Sequence, residues 1–270
     1  MPARTARALN VRQYGDGPDV LVLAHGFGWN QSVWDRYVDM LAQRYRVITY
    51  DLACAYSADP SFFDMSRHRE IGGYIEDLMQ ILDHQAVKSC RFIGHSVSGM
   101  IGLLASIRHH ARFDQVITIA ASPCYLNREG YHGGFSDDDL RNLLIAVDMD
   151  YRSWAEGYAP YAVDRPMGDD ATSSFLDCLL AMRKDVTLAT AQMILYCDYR
   201  DAMASVSVPT VILQTQIDPA VPLPVAMFLR DHIRGSRLEI IEATGHMPHL
   251  TSYEMVREAL CRHLDMAPVP

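Results

Sequence analysis

No run of about 18 apolar residues occurs in this chain of 270, so no segment is expected to cross a membrane as a helix. Positive charge is also short. Lys and Arg total 24 against 33 Asp and Glu, a formal net charge of -9. A chain of that sign repels polyanions at long range, which argues against nucleic acid and anionic membrane surfaces as partners. There is no CxxC pair and no Cys/His cluster at zinc spacing. The six cysteines, at positions 54, 90, 124, 178, 197 and 261, are scattered. They read as free buried thiols in a reducing compartment, with no disulfide and no metal site expected. The opening stretch MPARTARALNVRQY carries Arg4, Arg7 and Arg12 but no apolar h-region, so it does not read as a secretory leader. Blocks of like charge, internal repeats and low-complexity tracts are missing as well.

What is present is 49% hydrophobic content, enough to bury one sizeable core, in a length that suits a single α/β domain with an insertion. Short apolar runs alternate with amphipathic stretches, the pattern of a mostly parallel sheet wrapped by helices. ALNVRQY and DVLVLAH read as the first strands. SVWDRYVDMLAQRY follows as a helix with Ser32 as its N-cap. RVITYDL, SCRFIG and VITIAA read as further strands, separated by the helices IGGYIEDLMQILDH and VSGMIGLLASIRHH. From Pro123 to Met203 the rhythm changes. DDDLRNLLIAV, YRSWAEGYAPYAV, TSSFLDCLLAMR and LATAQMILYC suggest a four-helix insertion. The expected division is a core domain of residues 1–122 and 204–270 with a helical lid of residues 123–203. The α/β rhythm then returns in PTVILQT, PLPVAMFLRDHI, RLEIIE and MVREALCRHL, and the tail MAPVP is expected to fray.

GHSVS at 94–98 lies between a predicted strand and a predicted helix, the context of a nucleophile elbow. Ser96 by itself would read as a helix cap. In this setting the sharp turn pushes its hydroxyl out at the carboxyl edge of the sheet. The usual G-x-S-x-G has a glycine fifth. Here Ser98 takes that place, small enough to be tolerated. A serine hydroxyl is a poor nucleophile without a base, and in such folds the order along the chain is Ser, acid, His. Asp218 follows PTVILQT and His246 follows RLEIIE, so loops from late strands converge on Ser96. The alternatives are Asp218 as a helix cap before Pro222, and His249 as the base, although it lies deeper toward the next helix. The oxyanion needs two donors. Candidates are the backbone N–H of Val97 and, from the HGFG loop, that of Phe27, flanked by glycines. His25 and His95 read as structural, bonding neighbouring loops, with His95 also adjacent to the substrate. His109 and His110 read as a solvated helix end. Phe27, His95, Tyr125, Trp154, Tyr158, Leu195, Cys197 and Ile217 are the candidate substrate contacts, and they imply an apolar ester or lactone.

HGFGWNQSVW, RVITYDL, GHSVSGMIGLLASI, ASPCYLN, YHGGF, YRSWAEGYAP, DYRD and GHMPHL together make the sequence similar to the strigolactone and karrikin receptor hydrolases of plants and to the related bacterial stress-pathway hydrolase RsbQ. The likeness runs from about Ala8 to Leu264. It implies an α/β-hydrolase fold with a V-shaped four-helix lid and a triad at Ser96, Asp218 and His246. It implies a pocket gated by Phe27, Trp154 and Tyr158, and no cofactor. Such plant proteins cleave butenolides slowly, keep part of the product on the catalytic histidine, and then recruit an F-box partner through the changed lid. Serine in the fifth elbow position is a habit of that branch. Tyr125, Tyr158 and Leu195 depart from the residues usual there, as does the loop DLACAYSADP. The expected reading is a slow hydrolase of a small apolar ester or butenolide that doubles as a hormone receptor. The competing readings are a plain esterase or lactonase, or an RsbQ-like stress-signalling hydrolase. A monomer is expected, in the cytoplasm and, for a signalling role, also in the nucleus.

Overall fold

The computed structural model describes residues 2–266. Seven strands form one sheet: β1 (Arg12–Tyr14), β2 (Asp19–Ala24), β3 (Tyr45–Tyr50), β4 (Cys90–His95), β5 (Phe113–Ile119), β6 (Thr210–Ile217) and β7 (Arg237–Thr244). Their spatial order is β1-β3-β2-β4-β5-β6-β7, with β1 antiparallel to β3 and every other pair parallel. The central strands are fully buried runs such as Leu21–Ala24 and Phe92–His95, as a sheet covered on both faces requires. Helices α1 (Pro2–Ala8), α2 (Asp35–Leu41), α3 (Met65–His68), α4 (Ile71–His84) and α5 (Val97–Arg108) come before β6. Four more stand between β5 and β6: α6 (Asp137–Met149), α7 (Tyr151–Val163), α8 (Asp170–Ala181) and α9 (Lys184–Leu195). Then come α10 (Leu223–His232), α11 (Pro248–Thr251) and α12 (Tyr253–His263). This is the α/β fold with a four-helix insertion that the sequence pattern predicts. Among the described residues no helix is long and apolar enough to cross a membrane.

Three expectations need correction. ALNVRQY is not a strand along its length. Residues 2–8 are helical because Thr5, Ala6 and Ala8 are buried and α1 packs on α4, where the Thr5 hydroxyl meets Gln80 Oε1 at 2.6 Å. Only Arg12–Tyr14 pairs as strand. Ser32 does not cap the next helix. The cap is Asn30, whose Oδ1 accepts from both the backbone N–H and the hydroxyl of Ser32 and opens a 3-10 turn ahead of α2. That helix ends at Leu41, since Tyr45 is already drawn into β3. The tail expected to fray lies, from residue 267, outside the described residues. The six cysteines are free, five of them buried and Cys197 half-buried.

Candidate active site

Ser96 sits in the tight turn from β4 into α5, with φ 54° and ψ -122°, a backbone conformation few non-glycine residues hold. The turn explains Gly94. A Cβ there would lie 2.4 Å from the carbonyl carbon of Ser98. Ser98, in the position of the usual glycine, is fully buried, and its hydroxyl donates to the carbonyl of His25 at 2.5 Å. The departure is therefore a tether between the elbow and the HGFG loop. Sequence reading, which saw only tolerated size, did not find it.

Asp218 follows β6 and His246 follows β7, and the parallel sheet delivers both to the end where Ser96 stands. His246 Nε2 lies 2.9 Å from Ser96 Oγ, and His246 Nδ1 lies 2.9 Å from Asp218 Oδ2. All three residues are at most 7% exposed. Asp218 is held from both sides. Its Oδ1 accepts the backbone N–H groups of Ala220 and Val221 at 2.8 and 3.0 Å, and its Oδ2 also accepts Gln214 Nε2 at 3.2 Å. A carboxylate so bound fixes the imidazole with Nδ1 protonated and Nε2 free to take a proton from the serine, the order that nucleophilic catalysis requires. Among the described residues no acceptor takes the backbone N–H of Phe27 or of Val97. Phe27 lines the cavity over Ser96, and Val97 directly follows Ser96 at the start of α5.

His249 lies behind His246. It is fully buried, stacks on Trp34 at 5.1 Å and packs against His95 at 4.3 Å, and among the described residues neither ring nitrogen has a hydrogen-bond partner. His95 is also buried, and its Nε2 donates to the carbonyl of His246 at 2.8 Å. It thus holds the backbone of the candidate base and does not line the cavity, contrary to its place among the substrate contacts. His25 accepts the Leu52 N–H at Nε2 and donates from Nδ1 to the Gly26 carbonyl. Burial lowers the basicity of all three, with neighbouring imidazoles adding to the effect on His95 and His249, and takes His249 down to about 3.

That arrangement has a consequence for stability. Histidines in the unfolded chain take up protons below about pH 6.5, while in the fold burial holds His95 and His249 neutral well below that pH and shifts His25 in the same direction. The unfolded state then binds more protons, so their stabilising balance is complete above pH 6.5 and is lost as pH falls below it. His95 and His249 each contribute a slope approaching about 1.4 kcal/mol per pH unit, and His25 adds to it in the same sense. Chemical denaturation between pH 7 and 5 is expected to show a steep loss of stability. His249→Phe, which keeps a ring against Trp34, should reduce the slope by about one proton. Stability that stays level over this range would rule the account out.

Above Ser96 lies a largely apolar, partly enclosed cavity. Phe27, Tyr125, Trp154, Tyr158 and Leu195 line it as expected, together with Phe135, Leu143, Tyr161, Ala191, Ile194, Ala220 and Met247. Trp154, Tyr158 and Tyr161 stand at i, i+4 and i+7 on α7, a spacing that makes Tyr161 legible in retrospect. Trp154 stacks on Tyr158 at 5.2 Å, and Tyr158 meets Phe175 at 6.0 Å. Two further expectations fail. Ile217 is 63% exposed, because the pairing of β6 with β7 slips between Thr215 and Ile217 and the strand end turns outward. Cys197 lies past the end of α9, in a separate small cavity behind Tyr125.

An elbow serine, a late-strand acid and histidine, and a helical insertion over a parallel sheet define a class. The chain belongs to the α/β-hydrolase family, whose model matches residues 21–259, and within it to the group of the strigolactone and karrikin receptor hydrolases. It is 40% identical over 258 residues to strigolactone esterase D14 of Arabidopsis thaliana, covering 95% of this chain and 96% of that protein. Karrikin insensitive 2 receptor CA of Petunia hybrida is 40% identical over the same shares of the two chains. Among solved structures, a hydrolase from Oleispira antarctica superposes with a TM-score of 0.94 at 28% identity, over 98% of this chain and 97% of the other.

Proposed function

We propose that the protein is a serine hydrolase that opens a small apolar ester or butenolide lactone and serves as a receptor for it. The observation that carries this reading is the hydrogen-bonded chain Ser96–His246–Asp218 at the floor of an aromatic cavity roofed by α6, α7 and α9. Ser96 Oγ attacks the carbonyl as His246 Nε2 takes its proton. The oxyanion of the tetrahedral intermediate accepts from the Phe27 and Val97 N–H groups. Collapse expels the leaving oxygen, protonated by His246, and a water activated by the same imidazole then cleaves the acyl-serine. The Asp218 carboxylate, hydrogen-bonded to Nδ1, steadies the imidazolium. The helices α6 to α9 act as a lid over the core, with lining that favours apolar ligands.

The receptor part of the reading rests on the similarity to strigolactone and karrikin receptors over most of the chain. A receptor ligand must favour one lid state over another, since equal affinity shifts nothing. A ring fragment left on His246 would break its bond to Asp218 and free the lid to engage a protein partner, an F-box protein in this reading. With purified protein and a synthetic butenolide, mass spectrometry is expected to find an adduct on His246. The melting temperature is expected to fall, opposite to the rise that simple binding produces, and Ser96→Ala should lose that fall. If every butenolide tested stabilises the wild type and Ser96→Ala alike, the receptor reading fails and a plain ester hydrolase remains.

A further inference from the structure

Helix α7 touches both loops that carry the base and its acid, and it does so through consecutive residues. The Tyr161 hydroxyl donates to the carbonyl of Pro219 at 2.5 Å, one residue past Asp218. The carbonyl of Ala162 accepts the backbone N–H of His246 at 2.9 Å. The helix supplies that acceptor because it stops there. Asp164 ends it in the left-handed conformation, and carbonyls of the last turn have no helical donor left. Loop and helix end are also in close contact, since a Cβ on Gly245 would lie 2.5 Å from the carbonyl oxygen of Val163. The same helix also walls the cavity, for Trp154, Tyr158 and Tyr161 all line it.

The two tethers differ in what they ask of the sequence. The Ala162–His246 bond is between backbone groups and survives most substitutions. The Tyr161–Pro219 bond needs a hydroxyl. Pro219 stands inside the turn whose next two N–H groups hold Asp218 Oδ1. Displacing its carbonyl therefore displaces the donors that aim the carboxylate. The phenol remains a donor at any working pH, because burial and the nearby Asp218 charge raise its pKa. Tyr161 is 46% exposed, so water competes for the bond and its loss should have a moderate effect.

We propose that Tyr161 is a positioning residue, whose hydroxyl holds the Asp218 turn against the lid helix and so makes the chemical step depend on where α7 sits. The proposal rests on Ser96, His246 and Asp218 being the catalytic groups. It needs no contact between Tyr161 and the reacting atoms.

The test is Tyr161→Phe in the full chain, which keeps the ring in the cavity wall. Turnover would be measured on p-nitrophenyl acetate and on the longer p-nitrophenyl octanoate. The expected result is a fall in kcat of about fivefold to tenfold for both esters, with KM within about twofold, as loss of one hydrogen bond acting on the transition state gives. In an Asp218→Asn background Tyr161→Phe should cost nothing further, since both changes act through the same carboxylate. A loss confined to the octanoate would overturn the proposal and make Tyr161 a wall residue. Unchanged kcat on both esters would overturn it too, and a lowered melting temperature would then assign the bond to lid stability. So would full additivity with Asp218→Asn. Ser96→Ala run alongside separates the two levels. If that variant turns over normally, the catalytic reading itself fails. If it is dead while Tyr161→Phe is normal, only the tether fails.

Discussion

Ser96→Ala is expected to remove ester hydrolysis, with a loss on the order of a thousandfold or more, and to leave the fold as it is. The hydroxyl makes its hydrogen bond to His246 Nε2 and gives no cap bond to α5, so its removal takes away a nucleophile without loosening the helix. The strained φ of 54° belongs to the turn and is shared by an alanine in its place. Val97 and Phe27 keep their N–H groups, which leaves a residual rate above that of water. The cavity keeps its lining, so ligand affinity should change little. Purified variant and wild type compared on p-nitrophenyl acetate, with near-ultraviolet circular dichroism to report the fold, would decide it. Turnover by the alanine variant comparable to wild type would remove Ser96 from the mechanism.

Asp218→Asn should be damaging in rate on a similar scale, by about a thousandfold to ten-thousandfold. An amide can place its oxygen on one side only. The Oδ1 side faces two backbone N–H donors, from Ala220 and Val221, which hold the oxygen there. The NH2 group then occupies the Oδ2 position, where it meets the Nδ1–H of His246 and the Nε2 donor of Gln214. Donor faces donor, so the imidazole adopts the tautomer with its proton on Nε2, and that nitrogen no longer accepts the serine proton. The crowding of donors should also lower the melting temperature modestly, which sets this variant apart from Ser96→Ala. Pre-steady-state acylation by a p-nitrophenyl ester measures the affected step directly. A decrease under tenfold would mean that Asp218 does not set the tautomer.

Much of this was legible in the chain. Periodicity separates the buried strands from the amphipathic helices, and the change of rhythm after Pro123 marks the four helices over the sheet. Ser96, Asp218 and His246 could be nominated because each follows a strand. In a parallel sheet all strands end on the same side, so three positions far apart in sequence become neighbours by topology alone. The glycines of the elbow could be read because a turn that sharp leaves no room for a side chain.

The side chains around the site were less legible, and the misplacements share a cause. Ile217, Cys197 and His95 each lie within two residues of a site residue or cavity wall, yet none faces the cavity. Whether such a side chain points in, out or behind depends on one residue of register, a bulge or a helix end, and neighbouring strands and helices settle that through packing. The same holds for Asn30 over Ser32 as a cap and for the helical N-terminus, which α4 rather than local propensity decides. By itself, then, the sequence determined the layers of the fold and nominated the candidate reacting groups, because hydrophobic period and strand ends are local properties. Only the tertiary structure decided which aromatic rings line the cavity, that Ser98 ties the elbow to the HGFG loop, and that α7 grips both the Asp218 and His246 loops. Those are bonds between segments up to about 80 residues apart, and no local pattern encodes the partner at that range.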